Sequence, residues 1–163
     1  VFDCCVISNF ALAGAMGLLE ALYANKAHIT GFVAAEVLRG IQAGHARLEE
    51  IPKAVMAGWL RESGFKTGAE RRLFASFSRS LGLGEASSIA LAKGRGLVFA
   101  SDDRVARAEA VALGVRLAGT LGILTKAVRT KTCDLRTADA YLAGMIEAGF
   151  CSPVRSLSAP KPD

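Results

Sequence analysis

Short apolar runs separated by amphipathic stretches set the rhythm of this chain. VFDCC (1–5), HIT (28–30), AGWLRES (57–63), LVFAS (97–101) and VRLAG (115–119) have the length and apolar content of short strands. LVFAS is the clearest of them. Between these runs the apolar positions recur three and four apart, as on one face of a helix. SNFALAGAMGLLEALYA (8–24) reads as a helix broken near Gly14, with Ser8 or Asn9 as its cap. GFVAAEVLRGI (31–41) places Val33, Val37, Leu38 and Ile41 on one face, and AERRLFASFSRSL (69–81) does the same with Leu73, Phe74, Phe77 and Leu81. A further helical piece covers 45–57, its boundary blurred by Pro52. GLGEASSIALAKG (82–94) is glycine-punctuated and then helical. DDRVARAEAVALG (102–114) is a helix closed by Gly114, and TLGILTKAVRTK (120–131) and TADAYLAGMIEAG (137–149) are two more.

Strands alternating with helices predict βαβ units and an α/β fold around a mainly parallel sheet. The expected organisation is one domain over 1–150. A C-terminal tail covers 151–163, ending in the polar, proline-rich SAPKPD and partly disordered. In such sheets ligands gather where strands end at their carboxyl edges. That draws attention to Asp3, at the end of the first run, and to Asp102 and Asp103, at the end of LVFAS.

Composition narrows the class. The 163 residues are 52% hydrophobic, spread along the whole length, which argues for a globular core and against disorder. No run of about 18 uncharged apolar residues is present, so no membrane span is expected. No basic-then-apolar leader is visible, and the missing initiator Met suggests a few native residues before Val1. Twenty Lys and Arg against fifteen Asp and Glu give a net charge of +5, compatible with a nucleic-acid partner without establishing one. Cys4, Cys5, Cys133 and Cys151 show no CxxC spacing, and neighbours on a strand bridge poorly. Reduced thiols and a cytoplasmic location are the expectation.

Four acidic spots lie in apolar settings: Asp3, Glu36 in VAAEVL, Glu85 after LGLG, and the Asp102–Asp103 pair. Brought into one cleft, such groups repel and raise one another's pKa. A hard cation with oxygen ligands, Mg²⁺ or Mn²⁺, relieves that penalty. It also supports phosphodiester hydrolysis without a Ser, Cys or His nucleophile. Each acid has a plainer reading too. Asp3 and Asp102 suit helix N-caps, Glu36 suits a solvated helix face, and Glu85 and Asp103 suit the first turn of a helix. Their joint order carries the weight.

Other features are weaker. LGLGEAS has Ser87 where the third glycine of a dinucleotide motif belongs. Lys126, Arg129, Lys131 and Arg136 fit a solvated face as well as a phosphate track. Arg104, Arg107 and Ser101 border the acids and are the better substrate-contact candidates. His28 and His45 lack ligand spacing, and Phe74, Phe77 and Trp59 suit packing.

The order of the acids resembles the PIN-domain nucleases, and in particular their VapC-like toxin branch, from Val1 to about Phe150. VFDCCVISNFA resembles the opening strand with its first catalytic acid, Asp3. TGFVAAEVLRG resembles the segment carrying Glu36, and LGLGEASSIALAKGRG the helix carrying Glu85. LVFASDDRVARAEAVALGVRLAGTLGILTKA resembles the last catalytic strand with the helix and strand beyond it. Its Ser-x-Asp pattern makes Asp103 the metal acid and Asp102 its neighbour. The resemblance implies a three-layer α/β/α sandwich and a Mg²⁺- or Mn²⁺-dependent endoribonuclease. The implied catalytic residues are Asp3, Glu36, Glu85 and Asp103, with Asp3, Glu85, Asp103 and Asp102 at the metal. Implied partners are RNA, a small antitoxin protein that blocks the cleft, and often a second copy of the chain. Two departures stand out: Cys4 and Cys5 where the family usually has small hydroxyl residues, and Glu85 where many members carry Asp. Two rivals share the fold: a catalytically idle RNA- or protein-binding module, and an RNA-processing nuclease that is no toxin.

Overall fold

The sheet is built around the first three residues. In a computed structural model, which describes residues 1–158, residues 1–3 run extended between two parallel pairs of strands. Phe2 N–H donates to His28 O at 2.8 Å on one side. On the other, Ala100 N–H donates to Val1 O at 2.8 Å, and Asp3 N–H to Ala100 O at 2.9 Å. Beyond His28, β1 (Ala27–Ile29) pairs in parallel with β2 (Leu60–Glu62). Beyond Ala100, β3 (Phe99–Ala100) pairs in parallel with β4 (Leu117–Ala118). The order across the parallel sheet is therefore β2, β1, residues 1–3, β3, β4.

Helices cover both faces. They are α1 (Cys4–Leu12), α2 (Met16–Tyr23), α3 (Gly31–Gln42), α4 (Glu50–Met56, after a 3-10 turn at Ala46–Glu49), α5 (Gly68–Phe77), α6 (Leu83–Arg95), α7 (Arg104–Ala112), α8 (Thr120–Arg129) and α9 (Leu135–Glu147). Successive residues of an extended chain point to opposite faces, and the core divides accordingly. Phe2, Ile29, Leu60 and Ala100 pack with α1, α2, α3, α4, α8 and α9. Val1 and Phe99 pack with Ile89 and Leu91 of α6, Ala106 and Ala110 of α7, and Val115. The result is the expected three-layer α/β/α sandwich.

Several expectations shift by a few residues for identifiable reasons. Cys4 and Cys5 are the first residues of α1, not strand residues. Asp3, in extended backbone with φ −81° and ψ 160°, accepts from Cys4 N–H and starts the helix at once. The expected break falls at Gly14, whose φ of +70° suits glycine and separates α1 from α2. In α3, Val33 and Val37 are buried, but Leu38 is 53% exposed. It stands a quarter-turn past Val37, at the rim of the inward stripe. Pro52 sits in the first turn of α4, where its missing N–H leaves no helical bond unmade. The apolar face of α5 is only half-buried; its Phe74 stacks on Phe32 at 4.9 Å. Past α9 the chain folds back: Leu157 N–H and Ser156 Oγ both donate to Asp139, at 2.7 and 2.8 Å. The expected tail lies partly in 159–163, outside the described residues. Among the described residues, no helix is long and apolar enough to cross a membrane.

Candidate active site

The carboxyl edge of the sheet gathers the acids. Asp3 ends the central extended segment and is only 2% exposed. Its Oδ1 accepts from Cys4 N–H at 2.8 Å. Its Oδ2 accepts from Ser101 Oγ at 2.8 Å and from the Cys5 thiol at 3.2 Å. Ser101, just past β3, is fully buried; its hydroxyl also accepts from Asp103 N–H at 3.2 Å. One hydroxyl thus ties the acids of two strand ends together. Asp103 caps α7, its Oδ1 accepting from Ala106 N–H at 2.7 Å.

Asp102 turns the other way. Its Oδ1 accepts from Thr120 N–H at 3.0 Å. Its Oδ2 accepts from the Thr120 hydroxyl and from Asn9 Nδ2, the latter at 3.4 Å. Asp102 N–H in turn donates to Cys5 Sγ at 3.4 Å. Cys5 and Asn9, four residues apart, share one face of α1, so this helix braces both aspartates.

The glutamates arrive from two helices. Thr30 caps α3, and its hydroxyl lies 2.7 Å from that of Ser87 on α6; both residues are buried. This bond sets the two helices side by side. Glu36 Oε1 then accepts from Gly84 N–H at 3.2 Å. A Cβ at Gly84 would lie 2.6 Å from Glu36 Oε2, so any larger residue there displaces the Glu36 carboxylate from this position. Glu85 follows in the first turn of α6.

The acids feel one another. Burial raises the pKa of Asp3, and the Glu36 charge adds to it, against hydrogen bonds from Cys5, Ser101 and Cys4. Burial and then the Glu85 charge raise Glu36. Burial and then the Asp3 and Asp103 charges raise Glu85. Burial first, with neighbouring negative charge, pushes Cys4 up to about 11 and Cys5 up to about 12, so both thiols keep their protons at neutral pH. Among the described residues the ion pairs within 4 Å are Lys53–Glu50 and Arg95–Glu70, and neither touches these four acids. Carboxylates without an ion-pair partner among the described residues are thus held at one edge of a parallel sheet. A family profile described as a PIN domain matches residues 1–158. The chain belongs to the PIN-domain family. Searches of curated proteins and of solved structures gave no significant match.

PIN domains are generally nucleases that use divalent metals, and this PIN domain has the nuclease-type fold. Its donor set fits a hard cation in chemistry: carboxylate oxygens in mutual repulsion, with no basic partner within 4 Å. The set is gathered but not closed. Among the described residues no three His, Cys, Asp or Glu side chains converge tightly enough to hold an ion as they stand.

Of the residues singled out from sequence, hydrogen bonds join Asp3, Ser101 and Asp103 directly, and charge couples Glu36 and Glu85 to them. Asp102 faces Asn9 and Thr120 instead. Arg107 turns inward, its Nη1 donating to Ser101 O at 2.8 Å and Ala118 O at 2.9 Å, which fastens the ends of β3 and β4. Arg104 stands exposed at the start of α7. Sequence reasoning missed Asn9, Thr120 and Gly84, and read Cys5 as packing. Thr120 lies in the GTLGIL turn, the most family-specific stretch. Asn9 and Gly84 carry no local signal, because their partners are distant in sequence, whereas Cys5 lies two residues from Asp3.

Proposed function

We propose that this PIN domain is a Mg²⁺- or Mn²⁺-dependent endoribonuclease. One observation carries the reading: four acids from two strand ends and two helices share one edge, and among the described residues none of them forms an ion pair. Three of the four, Asp3, Glu36 and Glu85, are raised by burial and by a neighbour's charge. Asp3, Glu85 and Asp103 would hold the cation, with Asp102 beside them bracing the strand end. Glu36, raised by the Glu85 charge, would complete the set and accept a proton from attacking water. When bound, the cation would supply Lewis acidity toward the phosphodiester and lower the pKa of water there. Ser101, buried, keeps Asp3 and Asp103 in fixed relation, and exposed Arg104 would meet the RNA backbone. On the VapC-like resemblance we extend the reading to a cytoplasmic toxin. A small antitoxin protein would block the acid edge, and a second copy of the chain would form a homodimer.

The test is cleavage of a mixed RNA pool with Mg²⁺, Mn²⁺ or EDTA, comparing wild type with Asp3→Asn and Asp103→Asn. Metal-dependent cleavage that disappears in both variants is the expected result; cleavage undiminished in Asp3→Asn would sink the assignment. A second reading, an idle binding module, draws on the engagement of both Asp3 oxygens by protein donors. It predicts no heat of Mg²⁺ or Mn²⁺ binding in calorimetry.

A further inference from the structure

Beside β1 and β2 the α6–α7 layer leaves part of the sheet uncovered, and the uncovered strip is basic. The parallel register sets His28 opposite Arg61, so both side chains stand on one face. Ser63, two residues beyond Arg61, shares that face; its Oγ lies 2.9 Å from His28 Nδ1. Lys66, ahead of α5, and Arg95, at the end of α6, close the strip. These five residues line an open basin of about 490 Å³.

Charge there is out of balance. Arg95 Nε pairs with Glu70 Oε1 at 2.9 Å, and its Nη2 donates to Gly64 O at 2.6 Å. Arg61 and Lys66 have no acidic partner within 4 Å among the described residues. Glu62, the other acid at the rim, alternates to the opposite face of β2 and lies against Gly31. Burial, then surrounding positive charges that include Arg61, Arg95 and Lys66, holds His28 below its usual pKa. A concave surface with surplus cations, a planar guanidinium fork and a hydroxyl suits a tetrahedral oxyanion. Its position is informative too. Ser63 and Lys66 follow the carboxyl end of β2, and Asp3 and Ser101 lie at the carboxyl ends of their own segments. α6 spans the two places: its first turn carries Glu85, and its last residue, Arg95, closes the basin about 20 Å along the helix.

We propose that this basin binds a phosphate group, and that it holds a backbone phosphate of a nucleic-acid strand whose scissile bond lies at the acids. The second half rests on the nuclease reading. The test uses the full chain and the double variant Arg61→Ala/Lys66→Ala, with Arg61→Glu as a second variant. Both positions are exposed and unpaired, and Arg95 is left intact because it also fastens Glu70. Inorganic phosphate is titrated and followed by NMR at backbone amides. A labelled single-stranded RNA of about 12 nucleotides, within the usual site sizes, is titrated in EDTA by fluorescence anisotropy over a salt series. In the wild type, phosphate should shift the Arg61, Ser63 and Lys66 amides, and the variants should lose the response. RNA affinity should fall about tenfold in the double variant, and the salt slope by about 0.7 to 1. Phosphate shifts confined to other surfaces overturn the proposal. Phosphate binding here with unchanged RNA affinity overturns its nucleic-acid half. Neither readout uses cleavage, so failure of the nuclease assay is a separate result.

Discussion

Asp3 is a buried carboxylate held by three donors, and Ser101 is the donor it shares with Asp103. Ser101→Ala removes one bond from each aspartate. It should weaken Mg²⁺ binding and RNA cleavage by about 10–100-fold and lower stability by about 1–3 kcal/mol, read by calorimetry, single-turnover cleavage and urea unfolding. Cys5 has a similar role through a weaker donor. Cys5→Ser keeps a donor to Asp3 Oδ2 and should stay within several-fold of wild type. Cys5→Val, close in shape but mute, should behave like Ser101→Ala, and equal activity in the two Cys5 variants would remove the thiol from the network. The raised pKa of Glu85 has a signed consequence without metal. A carboxylate raised in the folded state adds stability below its ordinary value of 4.5 and loses it as pH rises through the folded value. In EDTA, Glu85→Gln should therefore melt higher than wild type near pH 7.5, with the gap closing toward about pH 4.5. His28, lowered by burial, drives stability the opposite way with pH, but it is common to both proteins and cancels in the difference.

At the scale of elements, α3 and α6 meet where the Glu36 carboxylate lies against Gly84. Gly84→Ala adds a favourable helix residue, worth up to about 1 kcal/mol, but its methyl occupies the place of the Glu36 carboxylate. A melting temperature that is unchanged or raised, with cleavage down about tenfold, is the expected pair of results; retained activity would remove Glu36 from the machinery. This scale also shows what the sequence could and could not reveal. The periodicity of GFVAAEVLRGI and DDRVARAEAVALG, the glycine at 14 and the apolar run at 97–101 placed α3, α7, the α1–α2 break and β3 to within a few residues. VFDCC misled, because Asp3 caps a helix that starts while the apolar run continues. Patterns of alternation cannot see a cap whose partner is the very next amide. The acids could be picked out because Asp3 and Glu36 interrupt apolar sequence, Glu85 opens an apolar helix, and Asp102 and Asp103 end an apolar strand. Asn9, expected as a helix cap, lies inside α1, which Asp3 caps, and its role, like that of Thr120, depends on partners distant in sequence.

Across the whole molecule, two apolar layers clasp one thin sheet. Phe10 is buried in one layer and Phe99 in the other. Truncating either to Ala should lower stability by about 3–5 kcal/mol in urea unfolding, a large share of the roughly 5–15 kcal/mol usual for a domain. Near-zero loss for Phe99→Ala would mean that the α6–α7 layer contributes little. The +5 charge belongs to this scale as well, since it draws polyanions to the surface wherever they finally bind. The central place of residues 1–3 has one more consequence, in time. Asp3 leaves the ribosome 98 residues ahead of Ser101, its hydrogen-bond partner. At about 5–20 residues per second that interval is several seconds or more. Until Ser101 emerges, the first acid of the site lacks its partner and the middle of the sheet lacks one neighbour. The acid edge is thus assembled only after the chain has been made as far as β3 and the residues beyond it.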